Sequence, residues 1–136
     1  MKPLLRVLDA YSLIAYLEGE AGKDMMIDII RDARDTRRDL LLSVVNWGEV
    51  YYITLREAGP KQAEAVSHVI STLPIQLIPA DSALARQAAE FKAKKKMSYA
   101  DCFATALAKL RNAELVTGDE DFRQVEGEVK ILWLHE

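Results

Sequence analysis

The chain has 136 residues, 50% of them hydrophobic, enough for one compact domain, residues 1–136, with a real core. Lys and Arg total 18 against 21 Asp and Glu, a formal net charge of -3, so no global attraction to polyanions operates and any nucleic-acid contact must be local. The single Cys102 excludes an intramolecular disulfide and a cysteine-based zinc site; no stretch reaches the roughly 18 apolar residues of a membrane span, and Met1 to Arg6 leads into the fold instead of forming a signal peptide, so a soluble, cytoplasmic protein is expected.

In chain order, strand-like and helix-like segments alternate, which is the pattern of an α/β fold. Leu4 to Leu8 is a short apolar run broken only by Arg6, and it delivers Asp9 to its end; Ala10 to Leu17 then has helical spacing. Gly19 and Gly22 bracket a turn, and Asp24 to Arg38 predicts a helix with Met25, Ile29 and Ala33 on its apolar face. Leu40 to Val45 is apolar enough for a strand buried on both faces, the signature of a parallel sheet. Asn46-Trp47-Gly48-Glu49 fits a capping box, with Asn46 as N-cap of a helix running to Gly59; Pro60 opens the next, which ends at Leu73. Ile75 to Ile78 is a third strand, Asp81 the N-cap of a helix from Ser82 to about Lys94, and Ser98 the N-cap of one ending at Asn112. Glu114 to Thr117 and Lys130 to Leu134 complete the strands.

The most informative stretch is Leu115-Val116-Thr117-Gly118-Asp119-Glu120-Asp121-Phe122, an apolar run that stops at Thr-Gly and releases three acids before Phe122 returns to the core. Asp119 and Asp121 also suit a helix cap, as Glu49 and Asp101 suit the first turns of their helices. Yet strand ends and the starts of following helices share one rim of a parallel sheet, so Asp9, Glu49, Asp101 and Asp119, with Asp121 in reserve, have a common address. Carboxylates gathered there repel and need protons or a cation; Mg2+ or Mn2+ suits an all-oxygen set.

Four segments, Leu8-Asp9-Ala10-Tyr11, Asn46-Trp47-Gly48-Glu49-Val50, Tyr99-Ala100-Asp101 and Val116 to Phe122, resemble in order and spacing the successive motifs of PIN domains, most of all the VapC-type toxins. The resemblance implies a three-layer α/β/α fold with a five-stranded parallel sheet of order 3-2-1-4-5 and a metal-dependent endoribonuclease site at the strand ends. It implies that Asp9, Glu49, Asp101 and Asp119 hold the metal, assisted by Asp121. One departure stands out: many members carry Ser or Thr where this chain has Tyr11, with Ser12 one step later, and Thr117 is the other source of a hydroxyl.

Other constellations carry less. Lys92, Lys94, Lys95 and Lys96 are either a solvated helix end or a phosphate-facing patch. His68 and His135 have no ligand spacing, Cys102 reads as buried packing, and Tyr11 and Tyr16 lack the basic neighbours of a base-stacking platform. Arg56 is either a phosphate contact or, the plainer reading, an exposed salt-bridging residue. Asp9-Ala10-Tyr11 lacks the second acid of aspartyl-phosphate phosphatases. Three functions follow: a ribonuclease toxin acting on RNA, held by a cognate antitoxin and homodimeric; an RNA-processing nuclease of the same fold without an antitoxin; or a binding module whose acids hold only a cation or a partner's Arg.

Overall fold

A computed structural model of the protein describes residues 5–135. Five parallel strands, β1 (Arg6–Leu8), β2 (Leu40–Ser43), β3 (Ile75–Ile78), β4 (Glu114–Thr117) and β5 (Ile131–Trp133), form one sheet of order β3-β2-β1-β4-β5. Six α-helices connect them: α1 (Ala10–Glu18), α2 (Lys23–Thr36), α3 (Val44–Ala58), α4 (Pro60–Thr72), α5 (Ser82–Lys94) and α6 (Tyr99–Leu110). A 3-10 turn, Glu120–Val125, follows β4.

Alternation along the strands builds two cores. Val7, Leu41 and Leu115 are paired in register and face α5, α6 and the 3-10 turn, where Phe91, Phe103, Leu107 and Phe122 pack. Leu8, Leu42 and Val116 face the other way, onto Leu13 of α1, Met26 and Ile30 of α2, Val50 of α3 and Ile70 of α4. Period-2 side-chain alternation thus sends neighbouring residues to opposite helical layers, giving the expected α/β/α sandwich. Phe122 is fully buried, a gain of about 3 kcal/mol by area.

Arg6 is tolerated on the central strand because Glu114 stands opposite it on β4, with Arg6 Nε donating to Glu114 Oε1 at 2.8 Å. The expected first strand began at Leu4, which lies outside the described residues; pairing starts at Arg6. The face of α2 is shifted by one residue in its first turn, since Met26 is buried and Met25 only packs at the margin.

One boundary differs more. Asn46 is not an N-cap: β2 ends at Ser43, whose hydroxyl accepts from Val45 N, and α3 starts at Val44. A hydroxyl at the end of an apolar run stops the strand, so Val44 and Val45 belong to the helix. Asp81 and Ser98 do cap α5 and α6, accepting from Leu84 N and Asp101 N.

Candidate active site

The strand order changes direction between β1 and β4, and at such a switch point the following loops part and leave a crevice beyond the carboxyl ends. Asp9 leaves β1 there and Asp119 leaves β4. Asp9 is the N-cap of α1 and 1% exposed; its Oδ1 accepts from Ser12 N at 2.8 Å and its Oδ2 from Thr117 Oγ1 at 2.5 Å. Thr117 Oγ1 in turn accepts from Asp119 N at 3.0 Å. The threonine hydroxyl therefore ties the two strand ends together and fixes which way its proton points. Of the two hydroxyls considered, Thr117 meets the Asp9 carboxylate, whereas Ser12 closes the capping box on backbone groups.

Asp101 reaches the same place from the first turn of α6 and Glu49 from α3. Carboxylate oxygens of Asp101, Asp119 and Asp121 all lie within 4.8 Å of one another, an arrangement able to hold a metal ion. Asp121, read from sequence as a reserve, is thus part of the tight group, while Asp9 and Glu49 stand around it. Asn46 is fully buried one turn ahead of Glu49; its Nδ2 donates to Ala100 O at 3.0 Å and to Glu49 Oε1 at 3.4 Å, joining α3 to the start of α6. Sequence reasoning assigned Asn46 a cap and missed this bridge, although an Asn three residues before an acid on a helix is the available signal.

The electrostatics record the crowding. Burial pushes the Asp101 carboxyl up to about 7, reinforced by the charges of Glu49, Asp119 and Asp9 and opposed by Ser98. Burial raises Asp9 to about 6 against the hydrogen bonds of Thr117 and Ser12, and raises Glu49 against its bond from Asn46. Among the described residues, none of the Lys or Arg ion pairs involves these acids. Asn46 Oδ1, also buried, has no hydrogen-bond donor among them. An oxygen-only set with unneutralised charge fits Mg2+ or Mn2+.

The opposite end of the sheet makes the contrast. A cavity of about 570 Å³ there is lined by Arg6, Asp32, Arg38, Asp39, Glu114 and Lys130, and two of its acids, Asp32 and Glu114, are matched by Arg6 and Lys130. Elsewhere, Lys92 Nζ donates to Met97 O, Lys95 pairs with Glu128, and Arg56 stacks over Tyr52 and forms no salt bridge among the described residues. Cys102 is buried, as expected.

Gly118 is needed for a different reason from turn geometry. A Cβ there would overlap Tyr11 Cε1 and stand 2.9 Å from Cζ, so the Tyr11 ring occupies the space a side chain would take. Those atoms are the outer end of a part-exposed side chain, so Gly118→Ala is expected to swing the Tyr11 ring aside at a cost of up to about 1 kcal/mol. In a Tyr11→Ala background the same change should cost little, which urea melts of the four proteins will read.

Residues 6–128 match the PIN domain family, and the chain belongs to it. Its structural neighbours are VapC toxins of toxin-antitoxin systems, at low sequence identity. The VapC20 toxin of Mycobacterium tuberculosis, described as cleaving the sarcin-ricin loop, aligns with a TM-score of 0.71 at 18% identity over 92% of this chain and 97% of that one. VapBC2 of Rickettsia felis, bound to a promoter DNA fragment, gives 0.79 at 12% identity over 96% and 99%. DNA-bound VapBC of Salmonella typhimurium gives 0.75 at 16% identity over 96% and 98%. No curated protein matches in sequence.

Proposed function

We propose that this PIN domain is a Mg2+- or Mn2+-dependent endoribonuclease, the toxin of a toxin-antitoxin pair. The observation that carries the reading is the convergence of Asp9, Glu49, Asp101 and Asp119 beyond the sheet, with Asp101 raised to about 7 by burial and three neighbouring carboxylates. Asp101, Asp119 and Asp121 would hold the metal, with Asp9 and Glu49 completing its surroundings. A bound divalent ion would lower the pKa of a water and offset charge on the phosphodiester. The protein's part is to keep these carboxylates close: the Thr117 and Ser12 bonds to Asp9 and the Asn46 bond to Glu49 offset part of the upward shift that burial imposes, and a bound cation would favour the ionised forms. The test is cleavage of total RNA in Mg2+ and in EDTA. Cuts in Mg2+ alone support the nuclease; no cuts in either would favour a binding module.

An antitoxin partner is part of the proposal, supported by the toxin-antitoxin complexes among the structural neighbours. A groove of about 280 Å³ between α1, α3 and α4, lined by Ile14, Leu17 and Val66 and bordered by Glu18 and Glu57, offers an apolar, acid-edged surface to such a protein. Growth arrest on induced expression of the wild type separates the toxin from an RNA-processing nuclease.

A homodimer completes the reading. Val44, Tyr52 and Leu55 are exposed along one face of α3, with Gly48 between them at helical spacing. A Cβ on Gly48 would meet nothing within 4 Å, so its own fold does not demand the glycine, whereas close approach of another helix would. Tyr52→Glu with Leu55→Glu is expected to halve the mass seen by light scattering; an unchanged mass would remove this face from the dimer.

A further inference from the structure

Tyr11 stands two residues beyond Asp9 on α1, and its ring and hydroxyl lie against Gly118, where an added Cβ would be 3.1 Å from Oη. Gly118 joins Thr117, whose hydroxyl holds Asp9, to Asp119 in the acid cluster. The ring therefore lies against the end of β4, one residue from Asp119, while the residue remains 39% exposed. Asp9 and Ser12 together cap the helix, and among the described residues Tyr11 makes no hydrogen bond, so no hydrogen bond of the fold uses its hydroxyl.

The acids around it repel RNA phosphates, and the chain as a whole is acidic. A bound cation would hold the scissile phosphate, so added affinity for the neighbouring nucleotide comes from an uncharged contact to its base. A base has two apolar faces, and stacking on an aromatic side chain is the common way proteins hold unpaired bases. Resting on the nuclease reading, we propose that Tyr11 is the base-stacking residue of this site, receiving the base beside the bond that is cut.

The test uses a short oligoribonucleotide cut at one mapped bond, together with two versions made abasic on either side of that bond, in Mn2+. Tyr11→Phe should cleave within about twofold of wild type, and Tyr11→Leu, which keeps apolar packing on Gly118, should raise KM about tenfold with kcat little changed. On one abasic RNA the wild type should lose the same factor and become equal to Tyr11→Leu. All three proteins should show the same rise of Tm with Mn2+, which marks an intact acid cluster. Wild-type KM in Tyr11→Leu, or a loss that persists undiminished on both abasic RNAs, overturns the stacking role and leaves the nuclease standing. If Tyr11→Leu does not fold, the wild type decides alone, since equal KM on all three RNAs overturns the proposal. A wild type that cuts no RNA in Mn2+ overturns the nuclease reading, and this inference with it.

Discussion

Asp101→Asn is expected to lower metal-dependent RNA cleavage at least about 100-fold while the protein stays folded. Replacing even the outer partners of a metal ligand typically costs 10–100-fold, so loss of a carboxylate in direct reach of the ion sets a floor there. The fold should survive because Ser98 Oγ accepts from the backbone N of residue 101, a bond the amide side chain leaves alone. Asp9→Asn is expected to do the same for a different reason: Asp9 is buried, and its Thr117 and Ser12 bonds favour the charged form that an amide lacks. End-labelled RNA cleavage and circular dichroism check both, and a folded variant that cuts at the wild-type rate would sink the assignment.

Thermal stability should depend on pH in opposite directions with and without metal. In the folded, metal-free protein burial lifts the Asp101 and Asp9 carboxyls to about 7 and about 6, from an ordinary value of 3.8. Between those limits the native state binds more protons than the unfolded chain, so stability falls as pH rises from 3.8 towards 7 and levels off above. Tm in EDTA should therefore be higher at pH 5 than at pH 8. Divalent ions bind the deprotonated acids, so millimolar Mn2+ should stabilise most at pH 8, by about 2.7 kcal/mol at a hundredfold excess over Kd. Asp101→Asn should flatten the slope in EDTA and lose most of the Mn2+ gain. A wild type indifferent to Mn2+, beside a variant that melts lower in EDTA, would reduce Asp101 to a residue that serves only the start of α6.

Much of this was legible in the sequence where a local signal was unambiguous. Asp81 before Ser82, Ser98 before Tyr99 and the strand Glu114–Thr117 all fall where capping residues and an apolar run put them. The start of α3 was not, because Val44 and Val45 extend the apolar run of β2 and suit either state; Ser43, one hydroxyl, decides it. At the site, the sequence assembled the acids through the rule that parallel strands share a rim. It could not rank them, since Asp121 enters the tight group through the bend of the 3-10 turn and Asp9 is drawn back by Thr117. The contact of Tyr11 with Gly118 left no trace, because no periodicity links residues from opposite ends of the chain.

The Thr117–Asp9 bond spans 108 positions. Loop closure on that scale comes late in folding, after the local helices and the β1–β2 pair have had time to form. During synthesis, a chain that has emerged only through β3 has Asp9 and Glu49 but neither Asp101 nor Asp119. The acid cluster is thus absent from every nascent chain that has not yet exposed β4, and a protein that attacks RNA as proposed would be harmless to the ribosome making it until the turn after β4 is out.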